Sequence, residues 1–134
     1  MRAARLLLAG ALLVSVAACD GANEEVSGSV AKLDRMALSQ SAVVTVELRD
    51  TSLADAPAET LSTDVIELGG NQLPVPYLLS YDPSDIDERH TYTVFSRIED
   101  GGQLLYITDT AYPVITRGNP TEDVEVVVVR VGGG

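Results

Sequence analysis

The chain has 134 residues and a formal charge of −11, from 9 Lys and Arg against 20 Asp and Glu. That carboxylate excess excludes a nucleic-acid binder, which needs clustered cations to neutralise phosphate, and the length suits one domain rather than two. Only 4% of residues are aromatic and there is one Cys, so no internal disulfide can form and the core must be built mainly from Val, Leu, Ile and Ala, a composition that favours strands.

Residues 1–18 read MRAARLLLAGALLVSVAA. Arg2 and Arg5 form a basic n-region, Leu6 to Val16 an apolar h-region, and Ala17 and Ala18 a small-residue end, which is the pattern of a secretory signal. A membrane span competes poorly, because the uncharged run 6–18 is 13 residues and crossing about 30 Å of hydrocarbon takes about 20. A buried core helix also fits poorly, since the run is apolar on every side. Val16-Ala17-Ala18-Cys19 resembles the lipobox of bacterial lipoproteins, which implies cleavage between Ala18 and Cys19. It also implies a diacylglycerol on the Cys19 sulfur and an N-acyl chain on the new terminus; beyond this covalent lipid no cofactor is expected. The competing reading is a buried cysteine near an ordinary cleavage site. Each buried methylene contributes about 0.8 kcal/mol, so two or more acyl chains anchor stably where one would be marginal.

Loss of residues 1–18 removes Arg2 and Arg5 and leaves 7 basic against 20 acidic side chains, a charge of −13. Residues 19–25 then form a lipidated terminus and short acidic linker that holds the domain close to the bilayer. Asp20 resembles the inner-membrane retention signal of enterobacterial lipoproteins; its other reading is simply the start of that linker. The expected location is the periplasmic side of a bacterial envelope, with either membrane open.

From residue 26 to 131 the pattern predicts one β-domain, with 132–134 as a disordered glycine tail. Strands are expected over 26–33, 42–50, 61–68 and 73–80, the last at an edge because Pro74 and Pro76 lack donors. Asp82 as N-cap and Pro83 at the first position predict a single helical turn over 83–88. Tyr92, Val94, Ser96 and Ile98 share one face of a strand over 91–99, and Asp100-Gly101-Gly102 should turn it back into 103–109 as a hairpin. The region 104–116 can continue as an extended arm, limited by Pro113. VEVVVVRV, 124–131, reads as a strand covered on both faces in mid-sheet. About seven short strands with no good helix predict an all-β, antiparallel β-sandwich.

Candidate chemistry is sparse. His90 is the only histidine, and without a second one, or a Cys that escapes lipidation, no metal site is expected. Asp82, Asp85, Asp87 and Glu88 lack the spacing of a calcium loop and read as a solvated acidic turn. Asp109, between Thr108 and Thr110, is the most pointed polar cluster, and a strand-end hydrogen-bond cap explains it best. No catalytic residue is singled out, and no enzymatic activity is expected.

A set of short motifs in order carries a family resemblance: VVTVEL (43–48), SLADAP (52–57) with Asp55 and Pro57, and PY (76–77). It continues through YDP (81–83) with Asp82 and Pro83, ID (86–87), RH (89–90), SRI (96–98) with Arg97, TDTAYPV (108–114) with Asp109, Tyr112 and Pro113, and TRG (116–118). Together they resemble the YbaY-like lipoproteins, a family that includes YscW-type lipoprotein chaperones, or pilotins, of type III secretion. The resemblance spans nearly all of 26–131. It implies a small lipidated β-sandwich that binds another envelope protein, with no assigned role for the motif residues.

The expectation is thus a lipid-anchored, noncatalytic envelope protein that binds or chaperones another envelope protein. Two alternatives stay open: a pilotin for a type III secretion secretin subunit, and a small-molecule or carbohydrate-binding lipoprotein with a cleft between its sheets.

Overall fold

A computed structural model describes residues 23–132. The expected signal peptide, Cys19, Asp20 and all but the first glycine of the tail lie outside them. Eight strands form: β1 (Glu24–Lys32), β2 (Ala42–Asp50), β3 (Glu59–Glu67), β4 (Val75–Tyr81), β5 (Tyr92–Asp100), β6 (Gln103–Ile107), β7 (Pro113–Val114) and β8 (Val124–Arg130), with one 3-10 turn at Pro83–Asp85. The all-β, sandwich-like single domain is what the sequence pattern leads to.

The strands follow the path β3-β2-β5-β6-β8-β1-β4, and β7 pairs with β5 off that path. One half, β4-β1-β8, continues into the other, β3-β2-β5-β6, through β8. That strand pairs with β1 from Val124 to Val128 and then with β6 through Val129 and Arg130. The halves are therefore one rolled sheet, nearly closed on itself. Within this largely antiparallel framework β1 and β8 run parallel, which local alternation could not reveal, because a parallel pair is joined by a long crossover and not by a turn.

Period-two alternation fills the roll. Val26, Val30, Val44, Val46, Leu48, Leu79, Ile98 and Val126 are fully buried, at about 25 cal/mol per Å² of apolar surface removed from water. In β5 the expected face of Tyr92, Val94, Ser96 and Ile98 is the buried one, and Ser96 Oγ satisfies itself by donating to the Thr45 carbonyl at 3.0 Å. The predicted hairpin forms with Gly101 at φ 60° and Gly102 at φ 84°, the left-handed geometry a two-residue turn requires. In β8 only Val124, Val126 and Val128 face the core, while Glu125 is exposed and Val127 half-buried. The expected cover on both faces is thus partial. On the outer side it comes from Tyr112, whose hydroxyl accepts the Val127 N–H at 3.0 Å.

Candidate functional site

Residues of the family motifs do not converge. Asp55 and Pro57 sit in an exposed loop between β2 and β3. Asp82 caps the 3-10 turn, accepting from the Ser84 N–H at 2.9 Å and the Ser84 hydroxyl at 2.8 Å. Those two bonds hold its carboxyl below the usual range, and Pro83 follows it at the first helical position, as the sequence predicts. Asp109 is exposed and, among the described residues, accepts only from its neighbour, the Thr110 hydroxyl, at 3.2 Å, so it caps none of the described strands. Pro113 belongs to the short β7, and Tyr112 serves β8 as described.

Arg97 is on the outer face of β5, where its Nη1 donates to Glu47 Oε2 at 3.1 Å and its Nε lies 3.5 Å from Glu99. Arg49 donates to the other Glu47 oxygen at 2.7 Å and lies 3.8 Å from the Phe95 ring centroid. Burial raises the pKa of Glu47 most, but the two guanidiniums together outweigh it and leave the carboxyl below its ordinary value. This is a knitted outer face with its charges paired internally, so it has little to offer a ligand.

His90 joins loops. Its Nδ1 lies 2.7 Å from Asp50 Oδ2, and its Nε2 is 3.8 Å from Asp87 Oδ2. Ser52 donates to Asp50 Oδ1 at 2.6 Å. The carboxylate stands between the hydroxyl and the imidazole, whereas a nucleophilic serine needs the imidazole next to the hydroxyl to take its proton. Desolvation pushes Asp50 upward most, yet the bonds from Ser52 and His90 bring it below the normal value, the electrostatics of a structural acceptor. The Thr116 hydroxyl donates to the His90 carbonyl at 2.7 Å and Arg117 to the Arg89 carbonyl at 2.6 Å, which ties this loop to the segment before β8. Nothing links His90 to Asp109. Among the described residues no group of three His, Cys, Asp or Glu is placed to hold a metal.

The cleft between sheets that a small ligand would need is occupied by the buried valines and leucines. Grooves lie on the loops instead. One of about 500 Å³ follows Ser84 to Arg89, and another of about 320 Å³ is lined by Asp50, Glu59, Thr60, Leu61 and Asp85. At the opposite end of the roll, two more flank Met36.

Among the described strands, the seam between β3 and β4 is the one gap in the roll. Asp64 is in register with the buried Val46, so its side chain turns inward, and its Oδ2 accepts the Leu78 N–H at 2.9 Å. Pro76 in β4 and Pro74 before it have no N–H to offer. An inward carboxylate and prolines are the devices that keep a sheet edge from pairing with other chains. The predicted edge position of the proline strand is therefore correct, and that same edge is blunted against strand addition.

Comparison with known proteins decides the family. The type III secretion system lipoprotein chaperone family (YscW) matches residues 22–126. This chain belongs to that family. It is 37% identical over 105 residues to the uncharacterized lipoprotein YbaY of Escherichia coli (strain K12), which covers 78% of this chain. The chain spans 55% of the length of that relative. Among solved structures, it is similar to an alternative pilotin from the type II secretion system of Vibrio cholerae, at 41% identity and a TM-score of 0.75, covering 81% of this chain and 98% of that one. The resemblance carried by the ordered motifs is thus confirmed, and the family is one of lipoprotein chaperones and pilotin-like proteins.

Proposed function

We propose that the chain is a noncatalytic envelope lipoprotein, anchored through lipid on Cys19 after cleavage at Ala18, that binds or chaperones a segment of another envelope protein on the periplasmic face. The observation that carries this reading is the likeness to a secretion-system pilotin over almost that protein's whole length. This reading draws on the geometry, in which Asp50 and Glu47 are spent on internal bonds. Under this reading residues 19–25 are the tether and residues 26–131 the binding module. A secretin subunit is the narrower candidate for the partner, favoured by the same structural likeness.

The test uses the lipidated full chain in its native envelope. Short-arm crosslinking followed by mass spectrometry is expected to recover one envelope protein reproducibly, and Cys19→Ala is expected to release the chain into the soluble fraction. Recovery of no partner defeats the chaperone reading; a Cys19→Ala chain that stays membrane-bound defeats the anchor. If the partner is a secretin, deleting the gene for this chain should deplete secretin multimers from the outer membrane.

A further inference from the structure

The loop joining β1 to β2 exposes apolar side chains on a rigid frame. Leu33 is 85% exposed and Met36 52%. Beneath them Lys32, its side chain only 7% exposed, donates to Asp34 Oδ1 at 2.6 Å and to the Met36 carbonyl at 2.5 Å. The Tyr106 hydroxyl donates to the same Asp34 carboxylate at 2.8 Å, and Gln72 both accepts from the Leu38 N–H at 2.8 Å and donates to the Leu38 carbonyl at 2.9 Å. The loop backbone is therefore held so that Met36 points outward as a ridge, with little backbone entropy left to lose on contact. A groove of about 250 Å³ lies on one side, bounded by Arg35, Gln72 and Leu73. A narrower one of about 80 Å³ lies on the other, bounded by Leu105, Tyr106 and Arg130.

Charge here runs against the rest of the molecule. Among the described residues Asp34 is the only carboxylate lining either groove, and Lys32 and Tyr106 already engage it. Among the described residues Arg35 has no side-chain hydrogen bond or ion pair, and the Arg130 side chain has no ion pair and hydrogen-bonds only the Met36 sulfur. In a chain with 20 acids to 9 bases, two guanidiniums without a carboxylate partner among the described residues, beside an exposed Met and Leu, form a local inversion.

We infer that the Met36 ridge, flanked by Arg35 and Arg130, docks a segment of the partner protein that combines carboxylates with large apolar side chains. This deepens the proposed function and rests on it. Complementarity sets the chemistry: the guanidiniums take carboxylates, and the ridge and its grooves take the apolar anchors. Position argues for a protein rather than the anchoring bilayer. β1 carries the chain from Glu24 to Lys32, roughly 26 Å at about 3.3 Å per residue, whereas the tether from Cys19 to Glu24 reaches about 18 Å at most. With β1 upright, the ridge therefore points away from the lipid.

The experiment places a benzoylphenylalanine photocrosslinker at Met36, and separately at Val65 on the seam, in the lipidated full chain within its native envelope. The Met36 position is expected to yield an adduct whose mapped partner peptide has an excess of Asp and Glu and at least two large apolar residues. Arg35→Glu with Arg130→Glu should cut that adduct at least about tenfold, Arg35→Gln with Arg130→Gln less, and Arg89→Glu, on the far loop, should leave it unchanged. Adducts from Val65 alone overturn the ridge but leave the proposed function standing; adducts from neither position overturn both. A Met36 adduct to lipid, to a second copy of this chain or to a basic peptide also overturns the inference. With purified chain, a peptide of alternating Leu and Glu should bind, weaken at least about tenfold in the double Glu variant and lose affinity with added salt. A Leu-Lys peptide or phosphatidylglycerol vesicles that bind as well as the Leu-Glu peptide would overturn it.

Discussion

At the β1–β8 junction neighbouring strands of one half of the sheet meet backbone to backbone, whereas at the β3–β4 seam the roll is held by one carboxylate. Gly28 is opposite both Tyr77 of β4 and Val124 of β8. The Val124 carbonyl crowds the space a side chain at Gly28 would occupy, and it accepts the buried Tyr77 hydroxyl at 2.9 Å. Three strands therefore share one carbonyl. The seam has no such ladder, only the Asp64 bond to the Leu78 N–H. One closure depends on close backbone approach, which tolerates no added atom; the other depends on a side chain that is partly open to water.

The largest effect is expected where backbone meets backbone. In Gly28→Ala the methyl group would overlap the Val124 carbonyl and amide nitrogen, and strands paired on both sides leave neither partner room to retreat. A loss of about 3 kcal/mol, or roughly 15 °C in Tm, is expected by thermal unfolding followed by circular dichroism. A variant melting within about 3 °C of the parent would show that the junction is looser than this packing requires. Tyr77→Phe keeps the ring but leaves the Val124 carbonyl without the hydroxyl in a buried place, at a cost of about 1.5 kcal/mol.

Cutting the seam should cost less. Asp64→Ala removes a charge-assisted bond near solvent, worth about 1 kcal/mol, and the sharper readout is local. Hydrogen exchange of the Leu78 amide should accelerate while amides of Val26 and Val126 keep their protection. If Val26 and Val126 lose protection together with Leu78, the seam carries as much of the closure as the junction does, and the contrast between them fails.

This contrast marks what the sequence could disclose. Alternation placed β2 and β5, and residue type placed the Asp100-Gly101-Gly102 turn that leads into β6 and the Asp82 cap, because each is encoded within ten residues or fewer. Pro74 and Pro76 announced an edge because a missing N–H is a local fact. Pairing of β1 with β8 brings together residues far apart in the chain, and the consecutive strands β3 and β4 face each other across a seam instead of pairing as a hairpin; no periodicity carries either fact. The candidate site divides in the same way. The motif residues Arg97, Tyr112 and Asp82 were visible, and the structure gives them bonds to Glu47, Val127 and Ser84 rather than a shared pocket. The Met36 ridge was missed, although Leu33-Asp34-Arg35-Met36 held a signal: two large apolar residues in a stretch too polar to be strand. Its meaning needed Lys32 and Tyr106 from two strands to show that the loop is held outward.

The smallest expected effect tests a region held by side chains alone. Lys32, first, and Tyr106 hold the Asp34 carboxyl down to about 2 from its ordinary 3.8. A carboxyl with a lowered folded-state pKa favours the folded loop fully above its unfolded value and loses that contribution as pH falls through the folded one. Between about pH 4 and pH 2, Met36 and Leu38 amide resonances should therefore shift together as the loop releases, while the Val26 and Val126 amides stay in place. Asp34→Asn cannot bind Lys32 as an anion, so its loop should already sit in the released position at neutral pH and the acid shift should vanish. If Asp34→Asn titrates like the parent, another group governs the loop and the ridge is not held by the pair the geometry indicates.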